Sequence, residues 1–372
     1  MARPQVQSLV ERLCPITRFA GRGVCIAFVD SGFYPHPDLV QPRGRIRAYV
    51  DVTRERPEPS ELLARKAWSW HGTMTVCCAA GNGYLSGGRY RGLASESDVV
   101  LVKAKDEERD GILGSHVAAA LRVPLRHRDL GVRVVCISLG VEPEDVDARA
   151  VEQAVDELVA AGIVVVTAAG NVPDRAPTPP ASARAAITVG GMDDRNTVDP
   201  SDDRPWPSSH GEVAPGVLKP DLLAPAIWVP APMVPGTFQA REAHALYDLI
   251  TVLEEMRLEP SREDGARAAL ESFYDAVDGR IAAQKYIAPD YQHVDGTSFA
   301  APIVAATVAQ MLEANPGLSP AEVKRGLLET ARALPDVPRE VQGAGVVEPA
   351  AAAEWAAARA PRPSEPSGRG RG

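Results

Sequence analysis

Five short runs of almost wholly apolar residues recur along the first half of the chain. They span 23–29, 99–104, 132–139, 163–168 and 186–189. Continuous apolar runs of this length are typical of strands that are buried on both faces of a parallel sheet. Helical periodicity between the runs, at 115–125 and 145–161, supplies the crossovers that parallel strands need. The sequence therefore predicts an α/β fold built on a doubly wound parallel sheet.

Charge and composition narrow the class of function. The 372 residues include 40 Lys and Arg against 49 Asp and Glu, a formal net charge of −9, which disfavours nucleic acid and anionic membranes as partners. No run of about 18 apolar residues occurs, so we expect no membrane span. The first 20 residues lack the apolar core of a secretory signal. Five cysteines, an odd number with two adjacent, indicate reduced core thiols. Together these features predict a cytoplasmic protein.

A serine stands at the start of the most apolar helical segment. Ser298 follows Gly296 and Thr297 and precedes an alanine-rich run that reaches Leu312, which predicts a helix packed on every side. Pro302 is expected in its first turn, where a missing N–H costs nothing. The Ser298 hydroxyl would lie beside free backbone N–H groups and the positive end of the helix dipole. It could attack a carbonyl there, although an ordinary N-cap serine fits the same pattern.

Three further polar residues are expected at the same edge of the sheet as Ser298. Asp30 ends the first predicted strand, Asn171 follows the fourth, and His71 begins a short helix. Open α/β sheets place their ligands at the carboxyl ends of the strands. Each residue alone has a structural alternative, such as a capping aspartate or a core histidine. Together the four supply a nucleophile, a base, an acceptor that orients the base, and an oxyanion donor.

With these residues the sequence resembles the subtilisin-like serine proteases, the subtilases of peptidase family S8. The matching segments follow the order Asp, His, Ser that subtilisin shows, and the resemblance covers roughly residues 23–353. The segments are 29–32, 36–39, 71–73, 93–94, 102–103, 138–140, 168–171, 219–225 and 296–302.

The resemblance implies a three-layer subtilisin-like fold, with roles for individual residues. Asp30, His71 and Ser298 would form a catalytic triad, and Asn171 would donate to the oxyanion. By the same resemblance, Ser138, Leu139 and Gly140 would pair with an extended substrate backbone. The segment Ala168, Ala169 and Gly170 would also contact substrate.

The function implied is that of an intracellular serine endopeptidase that hydrolyses protein or peptide substrates, with no propeptide in this chain. Two alternatives remain. One is a peptide-processing acyl transferase, which passes the acyl group to an amine instead of water. The other is a catalytically idle relative that only binds peptides.

The chain departs from the family pattern in two places. Residues 231–293 leave room for a helical insertion, because 238–258 and 262–287 are both amphipathic at helical spacing and Pro260 separates them. This predicted helical hairpin could gate the cleft or receive an activating or regulatory protein. Asp38 matches a calcium ligand of the family, but the loop 82–90 contains no carboxylate. We therefore expect no required cofactor and keep calcium only as a candidate structural ion.

The predicted domain organisation follows from these segments. Residues 1–22 form an N-terminal extension, and 23–358 form the protease domain, which includes the insertion at 231–293. Residues 359–372 are rich in Pro, Gly, Ser and Arg, a composition that predicts a disordered tail.

Overall fold

The apolar runs become neighbouring strands of one sheet in the computed structural model, which describes residues 5–54, 59–107, 111–258 and 264–361. The seven main strands are β1 Cys25–Asp30, β2 Ile46–Asp51, β3 Asp98–Lys103, β4 Val132–Ile137, β5 Val164–Ala168, β6 Ile187–Asp193 and β7 Leu222–Pro225. They lie in the order β7-β6-β5-β4-β1-β3-β2, and all neighbours are parallel. A short strand, Arg204–Pro205, pairs antiparallel with β6. The prediction of a mostly parallel α/β sheet is confirmed.

Helices cover both faces of this sheet. The longer ones are α1 Ser69–Ala80, α2 Gly114–Leu121, α3 Ala148–Ala160, α4 Phe238–Leu258, α5 Asp264–Ala283, α6 Thr297–Ala314, α7 Pro320–Thr330 and α8 Pro349–Ala357. Shorter helices span Leu9–Leu13, Pro37–Val40, Val123–Arg126 and Arg339–Gln342, and 3₁₀ turns span Pro59–Leu63, Tyr84–Ser86, Arg128–Leu130 and Pro200–Asp202.

The two faces of the sheet belong to separate apolar clusters, which makes three layers. In β1, Ile26 and Phe28 join the cluster that contains α1 and α6, whereas Ala27 and Val29 join the cluster that contains α2 and α3. Side chains alternate between the faces of a strand, so burial on both sides leaves no polar position within the run. The chain reverses its winding direction between β1 and β4, and open α/β sheets bind their ligands at such a point.

Pro302 does not lie where the sequence predicts. The helix α6 begins at Thr297, directly after Gly296 with its φ of 130°, so Pro302 falls in the second turn and not in the first. An interior proline removes the N–H that would bond to the carbonyl four residues earlier. In α6 that carbonyl belongs to Ser298.

Small antiparallel ladders lie outside the main sheet. One joins Val229–Pro232, Tyr291–Val294 and Tyr286–Ala288 into three strands. The others pair Gly211–Ala214 with Val217–Lys219 and Lys105–Asp106 with Gly111–Ile112. The three-stranded ladder, here called the root sheet, holds the two ends of the insertion side by side.

The insertion is a pair of packed helices, α4 and α5. Their buried apolar side chains are Ala240, Ala243, Ile250, Leu253, Leu270, Val277 and Ile281. The predicted turn at Pro260 lies outside the described residues. The helical spacing of 238–258 and 262–287 predicts that Phe238 and Phe273 lie on the apolar, buried side of each helix. The two side chains are 64% and 51% exposed, so this part of the prediction is wrong. Small alanines, and not Phe238, face the body at the start of α4.

The segment before β1 packs against the body of the protein. Val6 and Leu9 are buried. The guanidinium of Arg12 donates to Asp194 at 2.7 Å and to the carbonyl of Trp228 at 2.6 Å. The boundary at residue 22 stays a prediction. So does the disordered tail, because residues 362–372 lie outside the described part of the chain.

The search for membrane spans gives a negative result. Among the described residues, no helix combines the length and the apolar character needed to cross a bilayer.

Candidate active site

The last residue of β1, Asp30, holds the ring of His71. Its carboxylate is 1% exposed, and Oδ1 lies 2.8 Å from His71 Nδ1. The N–H of Ser31 donates to Oδ1 at 2.7 Å, and the Thr75 hydroxyl donates to Oδ2 at 3.2 Å. An ionised carboxylate only accepts hydrogen bonds, so Nδ1 carries the proton of a neutral His71 ring. Nε2 is then left with a free lone pair.

The environment of His71 favours its protonated form. Burial of the ring lowers its pKa, but the negative charge of Asp30 and the hydrogen bond to Asp30 together outweigh burial. The pKa of His71 is therefore raised above the ordinary value for histidine. A base with a raised pKa accepts a proton readily and stabilises the resulting imidazolium.

A close approach of two backbone segments brings His71 to Asp30. His71 lies in the first turn of α1, and Gly72 follows it. A Cβ on Gly72 would lie 2.3 Å from the carbonyl oxygen of Gly32 and 2.9 Å from Cβ of Asp30. Only glycine fits there, so the His-Gly pair is a condition for this contact.

Two aromatic rings flank His71. The ring of Trp70 meets it edge-on, with centroids 5.3 Å apart, and the ring of Phe299 lies at 5.6 Å. Trp70 is 45% exposed, whereas Phe299 is buried. Phe299 follows Ser298 directly, so His71 lies beside the first turn of α6.

The carbonyl of Ser298 has a replacement for its missing helical partner. The hydroxyl of Ser138, just after β4, donates to the Ser298 carbonyl at 2.9 Å. Pro302 is the residue that frees this carbonyl. The sequence predicts Ser138 as a substrate contact, and the structure ties its side chain to the backbone of Ser298.

Asn171 is oriented by the residue before Ser298. Both the N–H and the hydroxyl of Thr297 donate to Asn171 Oδ1, at 3.0 and 2.9 Å. The Thr297 hydroxyl in turn accepts from the N–H of Gly170 at 3.1 Å. With Oδ1 facing two donors, Nδ2 must point away from Thr297. Asn171 itself is exposed, so its amide is open to a ligand.

Ser209 fixes the turn that carries Asn171, and sequence reasoning missed it. Its hydroxyl donates to the carbonyl of Val172 at 2.9 Å and accepts from the N–H of Val172 at 3.2 Å. Its own N–H donates to the carbonyl of Gly170 at 2.9 Å. Gly170 has φ +107°, and a Cβ there would lie 2.8 Å from the Ser209 hydroxyl. Ser209 lies in an irregular Pro- and Ser-rich stretch, where no local pattern signals such a contact.

The remaining predicted substrate residues lie at the ends of β4 and β5, which are neighbours. Leu139 is 9% exposed and Gly140 is exposed. Ala168 is half-buried, and Ala169 is buried with its N–H bonded to the carbonyl of Val189 at 2.9 Å. The two segments form one edge beside the start of α6, with Gly140 its open backbone position.

The side chains grouped around Asp38 are a poor ligand set for calcium. The buried Tyr291 hydroxyl lies 2.8 and 3.1 Å from the two carboxylate oxygens of Asp38, and the N–H of Leu85 lies 3.4 Å from Oδ1. Among the described residues, the metal-binding side chains grouped with Asp38 are His36 and Cys77. Calcium requires six to eight oxygen ligands, whereas this group offers one carboxylate, one imidazole and one thiol.

Comparisons with known proteins agree with the resemblance. The profile of the subtilase family matches residues 21–345. The chain is 31% identical over 347 residues to serine protease AprX of Bacillus subtilis, an alignment that covers 88% of this chain and 65% of AprX. It is 33% identical over 204 residues to Subtilisin-like protease 1 of Pseudogymnoascus destructans, which covers 53% of this chain and 44% of that protein. The chain thus spans less than two thirds of either relative.

A solved structure shares the fold. It is described as proteases from Pseudoalteromonas arctica PAMC 21717. The superposition has a TM-score of 0.62 at 20% sequence identity and covers 94% of this chain and 95% of the other.

Proposed function

Because this chain belongs to the subtilase family of serine proteases, we propose that it is an endopeptidase with Asp30, His71 and Ser298 as its triad. The observation that carries the proposal is the 2.8 Å contact of Asp30 with His71 Nδ1, beside the helix start that holds Ser298. The free lone pair on His71 Nε2 and the raised pKa of His71 suit a general base.

The proposed reaction gives each of the four groups one site of action, and His71 serves in turn as base and acid. The Ser298 oxygen attacks the scissile carbonyl while His71 Nε2 takes the hydroxyl proton, and Asp30 stabilises the imidazolium that forms. The carbonyl oxygen, now negative, accepts from Asn171 Nδ2 and from the N–H of Ser298 in the first turn of α6. His71 then gives its proton to the leaving amine. Water then attacks the acyl carbonyl while His71 Nε2 takes its proton, and His71 returns this proton to the Ser298 oxygen as the ester bond breaks.

The proposed substrate is an extended peptide segment. Its backbone would pair with the open edge at 138–140, and 168–170 would line the opposite side. The exposure of Gly140 and of Asn171 supports this assignment.

The test is covalent labelling of Ser298. A fluorophosphonate reacts only with an activated serine hydroxyl, so we expect labelling of the wild type at Ser298, and none of Ser298→Ala. A quenched peptide cleaved at an internal bond would then show endopeptidase action. Absence of labelling in a folded protein would favour the idle peptide-binding relative. A product joined to an added amine, in excess over the hydrolysed product, would favour the acyl transferase.

We further propose that the hairpin of α4 and α5 restrains access to the cleft and receives a regulatory protein. The first turn of α4 lines one cavity together with Trp70, and Val252, Leu258 and Phe273 are 50%, 84% and 51% exposed. Contiguous exposed apolar patches mark protein interfaces, and we propose that these three side chains belong to one such patch.

Two changes test the role of the hairpin. Replacing 238–287 by a short Gly/Ser linker should increase cleavage of folded proteins more than cleavage of short peptides. Val252→Ser with Phe273→Ser keeps the helices and should alter only regulation by a partner, with the exposed Glu255→Ser as control. Unchanged selectivity in a folded linker variant would disprove gating. If the linker variant does not fold, it is replaced by a variant with a trypsin site engineered at the predicted turn near Pro260, and activity is compared before and after trypsin cleavage.

A cytoplasmic setting is also proposed. All five cysteines are free thiols, and Cys25, Cys77, Cys78 and Cys136 are buried. Burial raises the pKa of Cys25 to about 12, which keeps this thiol protonated and unreactive. Cys14 is exposed, so alkylation in intact cells should modify it. A disulfide on Cys14 would contradict the proposal.

A further inference from the structure

A cavity of about 440 Å³ opens beside the catalytic histidine, between the entrance of α1 and the root of the insertion. Its lining residues are Lys66, Ala67, Trp70, Met74, Met233, Val234, Thr237, Gln239 and Gln292. The volume lies within the range of small-molecule and side-chain pockets. The wall formed by Trp70 is the same ring that meets His71 at 5.3 Å.

The chemistry of the cavity is that of an apolar floor under a polar rim. Met74, Met233 and Val234 are 3%, 2% and 4% exposed and supply the floor. Gln239 is exposed at the rim. Methionine side chains adapt their shape to different apolar partners, so the floor suits bulky apolar side chains in general.

The position of the cavity decides which half of a substrate reaches it. The segments proposed to hold the acyl half, 138–140 and 168–170, contribute nothing to its lining. All lining residues come from the approach to His71, from the first half of α1, or from the root sheet, the start of α4 and the link between these two elements. The cavity thus borders the ring beside His71 and shares no lining residue with the segments proposed to hold the acyl half, which favours the leaving-group half of a peptide as its occupant.

We propose that this cavity, here called the root pocket, binds a bulky apolar side chain in the leaving-group half of the substrate. The insertion supplies one of its walls, so this chain selects substrates through an element of its own. The inference rests on the proposed proteolytic function. Side chains such as Leu, Met and Phe fit the apolar floor, whereas Ala leaves it unfilled and Asp would bury an unpaired charge.

The test compares quenched peptides that share one acyl half and differ at single positions after the scissile bond. The wild type should prefer Leu, Met or Phe over Ala by about tenfold in kcat/KM at one such position. Val234→Phe fills the cavity and should bring this ratio close to one. Trp70→Ala removes a wall and should also lower the ratio, which keeps the test valid if Val234→Phe does not fold. Phe238→Ala, an exposed neighbour that does not line the cavity, should leave the ratio unchanged.

A peptide p-nitroanilide, which has no residues beyond the scissile bond, separates failure of the root pocket from failure of the proposed function. If the wild type hydrolyses the anilide but shows no preference among the quenched peptides, only the root-pocket proposal is overturned. A preference that persists in both Val234→Phe and Trp70→Ala overturns it as well. Inertness toward the anilide and toward every peptide contradicts the proposed proteolytic function, and the root pocket with it.

Discussion

At the scale of single residues, the side-chain oxygen of Asn171 already accepts hydrogen bonds within the protein. Thr297 donates to it twice, and this fixes the direction in which the amide nitrogen can donate. A donor that is held before the reaction needs no reorganisation when charge develops. Thr297, the residue before the proposed nucleophile Ser298, thus positions Asn171 as the proposed oxyanion donor.

Replacement of Asn171 by Ala should lower kcat by about two to three orders of magnitude. The reason is the loss of a donor aimed at the oxyanion, a group that is charged only in the transition state, so KM should change little. Steady-state kinetics on a quenched peptide measure both constants. Val172→Ala, at the next exposed position, is the matched control. Near-normal turnover of Asn171→Ala would mean that another donor fills the oxyanion site.

The raised pKa of His71 predicts the acid limb of the pH profile. The general base must be neutral, so kcat/KM should fall with decreasing pH through a pKa above about 6.5, the ordinary value for histidine. Asp30→Asn removes the charge that raises the pKa, so this limb should move to lower pH. Activity should drop by about four orders of magnitude at the same time. An acid limb that stays in place in Asp30→Asn would assign the titration to another group.

At the scale of elements, the first turns of α6 are shaped by a proline in its interior. Pro302 frees the carbonyl of Ser298, and the Ser138 hydroxyl takes the place of the missing N–H. The end of β4 and the start of α6 are joined by this bond. Ser298, the proposed nucleophile, is therefore positioned from the sheet as well as from its own helix.

Ser138→Ala should leave the part-buried Ser298 carbonyl without its partner, at a cost of about 1 kcal/mol. Without this hydrogen bond Ser298 should shift from its position, and the rate of fluorophosphonate labelling should then fall tenfold or more. Thermal unfolding of the same variant shows how much of the cost is global. A second substitution, Pro302→Ala, restores a helical N–H and should recover part of the labelling rate. No recovery would mean that Ser138 acts on something other than the carbonyl.

A second element-scale feature is Asp38, which bonds both to the loop 82–90 and to the root sheet. Tyr291, from the root sheet, bonds to the carboxylate that the family resemblance associates with calcium. Tyr291→Phe should destabilise the protein by about 1–3 kcal/mol, because the buried carboxylate loses a donor. Chelation by EDTA should leave the unfolding temperature of the wild type unchanged. A fall in that temperature on chelation, reversed by added calcium, would contradict this interpretation of the Asp38 surroundings.

At the scale of the whole molecule, the segment before β1 is fastened to two distant parts of the chain. Arg12 bonds to Asp194 and to the carbonyl of Trp228, and neither ionic side chain is more than 6% exposed. A buried charge without its partner is far more costly than a broken surface pair. The segment thus contributes to global stability although it contains no part of the site.

Arg12→Ala should therefore destabilise the fold by about 3–5 kcal/mol, because Asp194 stays buried without a counter-charge. The exposed Arg22, which lies 3.6 Å from Glu313, is the matched control, and Arg22→Ala should cost less than about 1 kcal/mol. Denaturant unfolding of both variants gives the two values. Equal effects would show that the Arg12 contacts add nothing specific.

Whether a feature of this molecule can be predicted from sequence depends on how far apart in the chain the interacting residues lie. β1 is readable from sequence because burial on both faces demands an unbroken apolar run. β2 is not, because it is an edge strand in which Arg47 alternates with half-buried residues. The partners Asp30 and His71 stand in recognisable local motifs. Tyr291 meets Asp38 across 253 positions, and Ser209 reaches Val172 from an irregular loop, so no local pattern could indicate either contact.

The root sheet has a mechanical consequence. Val294 is paired with Val229, and Gly296 follows two residues later, directly before the helix that carries Ser298. A force applied to the hairpin would reach Gly296 through the paired strands of the root sheet. Extended backbone lengthens little under tension, so the displacement would be passed on. The insertion can thus be regarded as a lever whose short arm ends at the proposed nucleophile, Ser298.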